Sequence, residues 1–195
     1  GRYSRFWIFA HDPPVLFAGG IYRPRVDQSV GAAQSAAMSF LVRQNRCPIP
    51  FDAARGEDAV ASLQGLPDEL GPLIAGAAGC SPYLADLIRR EGGWLIEAMV
   101  APEAAIEAVM GEIARMSLDE LPAGLRQAKR RVALLTGLAD LAGVWALETI
   151  TPLLSDFADA AVQASISQLV SADVRRGKLP DRDDPAPLGG MVVFA

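Results

Sequence analysis

The sequence is poor in the residues that most often carry catalysis or bind metals. It contains one histidine, His11, and two cysteines, Cys47 and Cys80, among 195 residues. A histidine with no histidine or cysteine nearby does not provide the tetrahedral ligand set of a zinc site, and no Ser/His/Asp or Cys/His set can be assembled around it. Two distant cysteines offer neither a disulfide framework nor a CxxC pair, which favours free thiols in a reducing cytoplasm.

The chain also lacks a long apolar run and an excess of positive charge. Its most apolar window, 132–147, is interrupted by Asp140 and is shorter than the roughly 20 residues that cross a bilayer. We therefore expect no membrane span. The net charge of -5 gives no general attraction to nucleic acid. A content of 51% hydrophobic and 21% charged residues is typical of a folded protein.

Hydrophobic periodicity predicts a mainly α fold, a multi-helix bundle. Residues 121–147 carry two neighbouring apolar rows, which indicate a helix buried on most of its circumference. A second long helix is predicted to begin at Thr151-Pro152, where a hydroxyl can cap free N–H groups and proline already has the helical φ. The pattern places a helix end at Gly92. Shorter helices are predicted to begin at three prolines: Pro67, Pro82 and Pro102.

Composition divides the chain into four segments. Residues 1–48 are rich in aromatic residues and proline and have no clear origin, whereas 49–170 form the helical body. Residues 171–187 are charged and contain proline, which indicates a linker. The last segment, 188–195, ends in a β-branched apolar run that predicts a strand.

Two polar features near the C-terminus are candidates for a magnesium site and a phosphate-binding loop. Asp181, Asp183 and Asp184 have the oxygen chemistry that magnesium prefers. They alternate with an arginine in a proline-rich stretch without a rigid element, which favours a solvated linker. Gly189-Gly190 precedes the predicted strand, whereas phosphate loops follow one, so this pair indicates a turn.

A basic cluster is the strongest polar feature of the helical body. Its plain interpretation is a solvated or ion-paired helix face, with Glu120, Asp119 or Asp140 as candidate partners. The sharper interpretation is a docking face for a neighbouring domain or a protein partner. The cluster consists of four residues: Arg126, Lys129, Arg130 and Arg131.

Several stretches, in one order along the chain, resemble a known family. They are CSPYLADLIRR at 80–90, LRQAKRRVALLTGLADLAGVW at 125–145, LSDFADAA at 154–161 and LGGMVVFA at 188–195. The two middle stretches resemble the helical repeated domain of the bacterial glutamate–ammonia ligase (glutamine synthetase) adenylyltransferase family. The last stretch resembles the first strand of that family's nucleotidyltransferase domain, so the chain would end in a truncated strand of an α/β domain.

The resemblance implies a role in nitrogen regulation. Members of this family are large bifunctional enzymes: one half attaches AMP from ATP to a tyrosine of glutamine synthetase, and the other removes it by phosphorolysis. A PII signalling protein and glutamine control both reactions. The stretch Lys129-Arg130-Arg131 is more similar to the AMP-removing half.

The same resemblance implies that this chain carries no catalytic, cofactor-binding or metal-binding residue. The family's glycine-containing nucleotide loop and its magnesium-binding Asp-x-Asp pair follow the strand at 191–195. ATP and magnesium are therefore implied only for the complete enzyme. We expect a cytoplasmic fragment that is inactive alone, with glutamine synthetase and PII as partners. The alternative is a free-standing helical protein-interaction module.

Overall fold

A computed structural model of the chain describes residues 39–179, and these are mainly helical. A 3-10 turn at Asp68–Leu70 precedes the third helix, and no strand occurs between residues 39 and 179. The mainly α prediction is confirmed across this range. The predicted strand at 188–195 lies outside the described residues, as do His11 and the three linker aspartates. In chain order the helices are α1 (Phe40–Arg43), α2 (Ala53–Ala61), α3 (Gly71–Cys80), α4 (Pro82–Ala98), α5 (Pro102–Ile113), α6 (Leu121–Ala142) and α7 (Leu147–Arg175).

Helix α6 lies at the centre of the bundle and packs against α3, α4, α5 and α7. Its two apolar rows are both buried, as the sequence pattern predicts. Each large side chain buried in this way stabilises the fold by roughly 1.5–3 kcal/mol. The largest fully buried side chains of α3, α4 and α6 are Leu73, Ile74, Leu87, Ile88, Leu95, Leu134, Leu135 and Leu138.

Glycines in α2 and α3 permit close backbone approach. A Cβ added to Gly56 would lie 2.6 Å from the carbonyl oxygen of Ala75, so α2 can rest directly on α3. A Cβ added to Gly76 would overlap the carbonyl of Pro48. These contacts explain why α3 is built from small residues: they let the segment before α2 cross it.

Helix α4 does not end at Gly92 as predicted. It begins as expected, with the Ser81 hydroxyl accepting a hydrogen bond from the Leu84 N–H at 3.2 Å. It then bends at Glu91, which has φ -117° and ψ 16°, and continues to Ala98. Gly92 is buried against Leu63, so the glycine serves packing rather than termination.

Helix α7 begins one turn earlier than predicted. It starts at Leu147, which places Pro152 inside the helix. The Thr151 hydroxyl donates to the Leu147 carbonyl at 2.7 Å and does not cap the helix start. The burial of Ile150 explains the earlier start, because this side chain belongs to the core and draws the first turn against the bundle. The helix runs to Arg175, beyond the predicted boundary at residue 170.

Residues just before α2 complete the end of α6. Helix α6 ends at Gly143, whose φ of +68° is left-handed. The backbone N–H groups of Asn45 and Arg46 both donate to the Ala142 carbonyl, at 3.0 and 3.1 Å. The Arg46 guanidinium donates to the Asp140 carbonyl at 2.7 Å, and the Asn45 amide donates to the Gly143 carbonyl at 3.1 Å. These bonds satisfy carbonyls that a helix end leaves without partners.

Candidate functional site

The basic cluster on α6 divides into two pairs. Arg126 and Lys129 are exposed, and neither forms an ion pair with another residue between 39 and 179. Arg130 and Arg131 instead turn towards α4. The predicted docking face therefore presents two free positive charges, whereas the other two are engaged within the bundle.

Arg130 and Arg131 bind one buried carboxylate. The Arg130 Nε donates to Glu91 Oε1 at 2.6 Å, and the Arg131 Nε donates to Oε2 at 3.2 Å. Glu91 is only 5% exposed. The Arg131 guanidinium also lies 3.7 Å from the carboxylate of Glu112 and 5.2 Å above the ring of Trp94. This cluster joins α4, α5 and α6 at the bend of α4.

The sequence did not identify these partners. The sequence offers Glu120, Asp119 and Asp140 as partners because these acids are close to the cluster in the chain or on the same helix. Glu120 instead binds Ser117, and the Ser117 hydroxyl, followed by its backbone N–H, lowers the pKa of Glu120. This is the backward half of a Ser-x-x-Glu capping box at 117–120, in the turn before α6. No local signal marks Glu91, because its partners come from another helix.

A second cluster surrounds Glu103 at the start of α5. The Arg43 guanidinium donates to both carboxylate oxygens, at 2.6 and 3.1 Å. The indole N–H of Trp145 donates to Glu103 Oε1 at 2.7 Å. Trp145 is 5% exposed, in keeping with its prediction as a core residue. The cluster ties α1 and the turn after α6 to α5.

A third cluster lies on the outer face of α4. Asp86 accepts hydrogen bonds from Arg90, at 2.7 Å, and from Arg89. These bonds, that from Arg90 first, lower the pKa of Asp86. The cluster borders a shallow cleft of about 320 Å³ that Arg55 and Asp58 of α2 also line. The charges in this cleft largely compensate one another.

No group of three or more His, Cys, Asp or Glu that could hold a metal ion occurs between residues 39 and 179. Cys47 and Cys80 are free, exposed thiols. Within the same range no helix has the length and apolarity needed to cross a membrane. The polar side chains described above thus form ion pairs between and along the helices.

Comparison with known proteins decides the family. The model of the glutamate-ammonia ligase adenylyltransferase family matches residues 73–195, more than half of the chain. The chain belongs to this family. The resemblance seen in the sequence is therefore confirmed.

Curated relatives of this family are much longer than the chain. A bifunctional glutamine synthetase adenylyltransferase/adenylyl-removing enzyme of Caulobacter vibrioides is 38% identical over 151 residues, which are 69% of this chain and 14% of that enzyme. The enzyme of the same name from Rhizobium meliloti is 35% identical over 157 residues, 73% of this chain and 16% of the relative. The enzyme of the same name from Rhodopseudomonas palustris strain TIE-1 is 32% identical over 146 residues, which are 71% of this chain and 15% of that enzyme. No solved structure gives a significant match.

Proposed function

We propose that the chain is the helical part of a bifunctional glutamine synthetase adenylyltransferase/adenylyl-removing enzyme. The observation that carries this proposal is the family match, which extends over α3–α7 and on to residue 195. The alignments with the three relatives named above span only 14–16% of the length of those enzymes. Ion pairs between the helices favour a rigid bundle, and a rigid bundle suits a body that positions a neighbouring catalytic domain. We assign it to the AMP-removing half of the enzyme, on the resemblance of 129–131.

In this proposal the chemistry belongs to the rest of the enzyme. Residues 188–195 form the first strand of the nucleotidyltransferase domain, and the apolar side chains of 191–194 suit a buried strand. ATP and magnesium bind beyond it, where transfer of a nucleotidyl group requires positioned metal and phosphate contacts. The enzyme acts in the cytoplasm on glutamine synthetase and responds to a PII protein. No residue of this chain is proposed to be catalytic.

We propose that the docking face consists of Arg126 and Lys129. Arg130 and Arg131 already neutralise Glu91 within the bundle, at Nε–O distances of 2.6 and 3.2 Å. Arg126 and Lys129 are exposed on the same helix, and no carboxylate of residues 39–179 forms an ion pair with either. We propose that these two residues contact an acidic surface of the adjoining domain or of glutamine synthetase.

The activity of the chain alone tests the assignment. With ATP, magnesium and purified glutamine synthetase, we expect the 195-residue chain to transfer no AMP and the enzyme encoded by the complete gene to attach and remove it. AMP transfer by the chain alone would contradict the proposal. A coding sequence that continues into a glycine-rich turn and an Asp-x-Asp pair supports it. A stop codon directly after Ala195 in an intact gene would favour the free-standing helical module.

A charge reversal tests the docking face in the complete enzyme. We expect the double variant Arg126→Glu/Lys129→Glu to slow AMP removal without lowering the Tm, since both side chains are exposed. The matched control is Arg89→Glu/Arg90→Glu, which makes the same charge change on the outer face of α4. Equal loss of activity in both variants, or no loss in either, would count against a specific docking face.

A further inference from the structure

A basic cleft lies between the end of α5 and the end of α7. It has a volume of about 500 Å³, and three arginines line it together with one carboxylate, that of Asp119. The amide of Gln168 on α7 donates to the Met116 carbonyl at 2.9 Å and holds the two sides of the cleft together. The three arginines are Arg115, Arg175 and Arg176.

Two of these arginines form no ion pair with any described residue. Arg176 pairs with Asp173 at 3.6 Å. Arg115 and Arg175 are exposed and form no ion pair with another residue of 39–179. The cleft therefore has an unbalanced positive charge in a protein whose net charge is -5. A negatively charged group is the occupant that its chemistry fits.

The chain leaves α7 beside this cleft. Gly177 has φ +70°, and the Lys178 N–H donates to the Asp173 carbonyl at 2.9 Å, as in a Schellman motif. The Leu179 N–H also lies 3.4 Å from the same carbonyl. The chain is thus bent back against the last turn of α7, next to Ala172, which lines the cleft.

The next residues supply the missing negative charge. Asp181, Asp183 and Asp184 begin two residues after Leu179. At about 3.3–3.6 Å per residue, an extended chain can carry Asp181 about 7 Å and Asp184 about 17 Å from Leu179.

We infer that the acidic segment 181–184 docks in the cleft of Arg115, Arg175 and Arg176. Its carboxylates pair with Arg115 and Arg175 and fix the direction in which the chain leaves the helical body. The segment that was expected to be a solvated linker is then an anchored connection. This inference concerns the chain itself and holds whether or not the proposed enzymatic role is correct.

A spin label placed after the segment tests the docking. Cys47→Ser and Cys80→Ser remove the two free thiols, and Ala186→Cys carries a nitroxide. We expect the label to broaden the backbone amide signals of 115–119, which lie across the cleft from α7. In Arg115→Glu/Arg175→Glu, loss of two exposed ion pairs should lower the ratio of docked to free segment about fivefold, and the broadening should fall accordingly.

A charge swap distinguishes docking from simple proximity. Replacing the three aspartates by lysine in the Arg115→Glu/Arg175→Glu background should restore the broadening. The control Arg89→Glu/Arg90→Glu should leave it unchanged, because α4 contributes no residue to the cleft. Circular dichroism confirms that each variant is folded. Equal broadening before and after reversal, or no recovery in the swapped chain, would overturn the inference.

Discussion

Helix α4 carries two carboxylate–arginine clusters that share their chemistry and differ in burial. Asp86 and its arginines lie on one helix, at (i, i+3) and (i, i+4), on the outer face. Glu91 lies at the bend, is 5% exposed and binds arginines of another helix. An exposed pair within one helix adds little to stability, since water screens it and both side chains lose entropy. Loss of one member of a buried set leaves charge without compensation, which destabilises far more.

The largest expected effect is that of Glu91→Gln. The substitution keeps the shape of the side chain and removes the charge that two guanidinium groups share. We expect the free energy of unfolding to fall by about 3 kcal/mol, the lower end for a buried pair, because both arginines retain some access to water. Denaturant unfolding measures this, with Asp86→Asn as the matched control. An equal fall in the free energy of unfolding for the two variants would show that burial does not make the Glu91 cluster more important for stability than the Asp86 cluster.

Glu103→Ala should have the next largest effect. Glu103 is partly exposed, but it accepts hydrogen bonds from Arg43 and from the indole of Trp145. The Arg43 Nε is buried and has no hydrogen-bond partner in the described part of the chain, so Arg43 donates to Glu103 through its two terminal nitrogens. We expect a loss of about 2 kcal/mol, from hydrogen bonds to a charged group. Chemical denaturation gives the value, and near-ultraviolet circular dichroism should show a changed signal for Trp145. A loss as small as that of Asp86→Asn would contradict this ranking.

Arg131→Lys sharpens the comparison within the buried cluster. Lysine keeps the charge, but it lacks the planar guanidinium that reaches both Glu91 and Glu112 and covers Trp94. We expect a loss of about 1 kcal/mol, most of it from the contact with the ring. Thermal unfolding measures it, and Arg90→Lys on the outer face serves as control. An unchanged Tm in Arg131→Lys would mean that the positive charge alone accounts for the contribution of Arg131 to stability.

The smallest effect is expected for Asp86→Asn, and it should depend on pH. Hydrogen bonds from Arg90 and Arg89 lower the pKa of Asp86 in the folded chain. Its contribution is therefore present above the ordinary aspartate pKa of about 3.9 and is lost as the pH falls through the lowered value. The difference in Tm between the original chain and Asp86→Asn should shrink between pH 7 and pH 3. It should also shrink in 1 M NaCl, where the screening length is about 3 Å. A difference that grows on acidification would reverse the expected sign.

The sequence predicts the helices well where their signals are local. The apolar rows of 121–147, the proline starts at Pro82 and Pro102 and the capping residue Ser81 all act within one or two turns. The bend at Glu91 and the early start of α7 could not be predicted in this way. Each depends on a contact with another helix, and the pairing of Glu91 joins residues 39 and 40 positions apart. The same reason explains why sequence reasoning did not separate Arg126 and Lys129 from the two structural arginines.

The bonds that Asn45 and Arg46 make to the end of α6 have a practical consequence. The family model matches from residue 73, yet the carbonyls of Asp140, Ala142 and Gly143 at the end of α6 accept hydrogen bonds from residues well upstream of it. Phe40 is buried, and its backbone N–H donates a hydrogen bond to the Met99 carbonyl at 3.0 Å. A protein shortened to begin at Leu73 would lose residues 40–46 and expose the surface that they cover. The stretch that the family model matches is therefore shorter than the stretch that packs as one bundle.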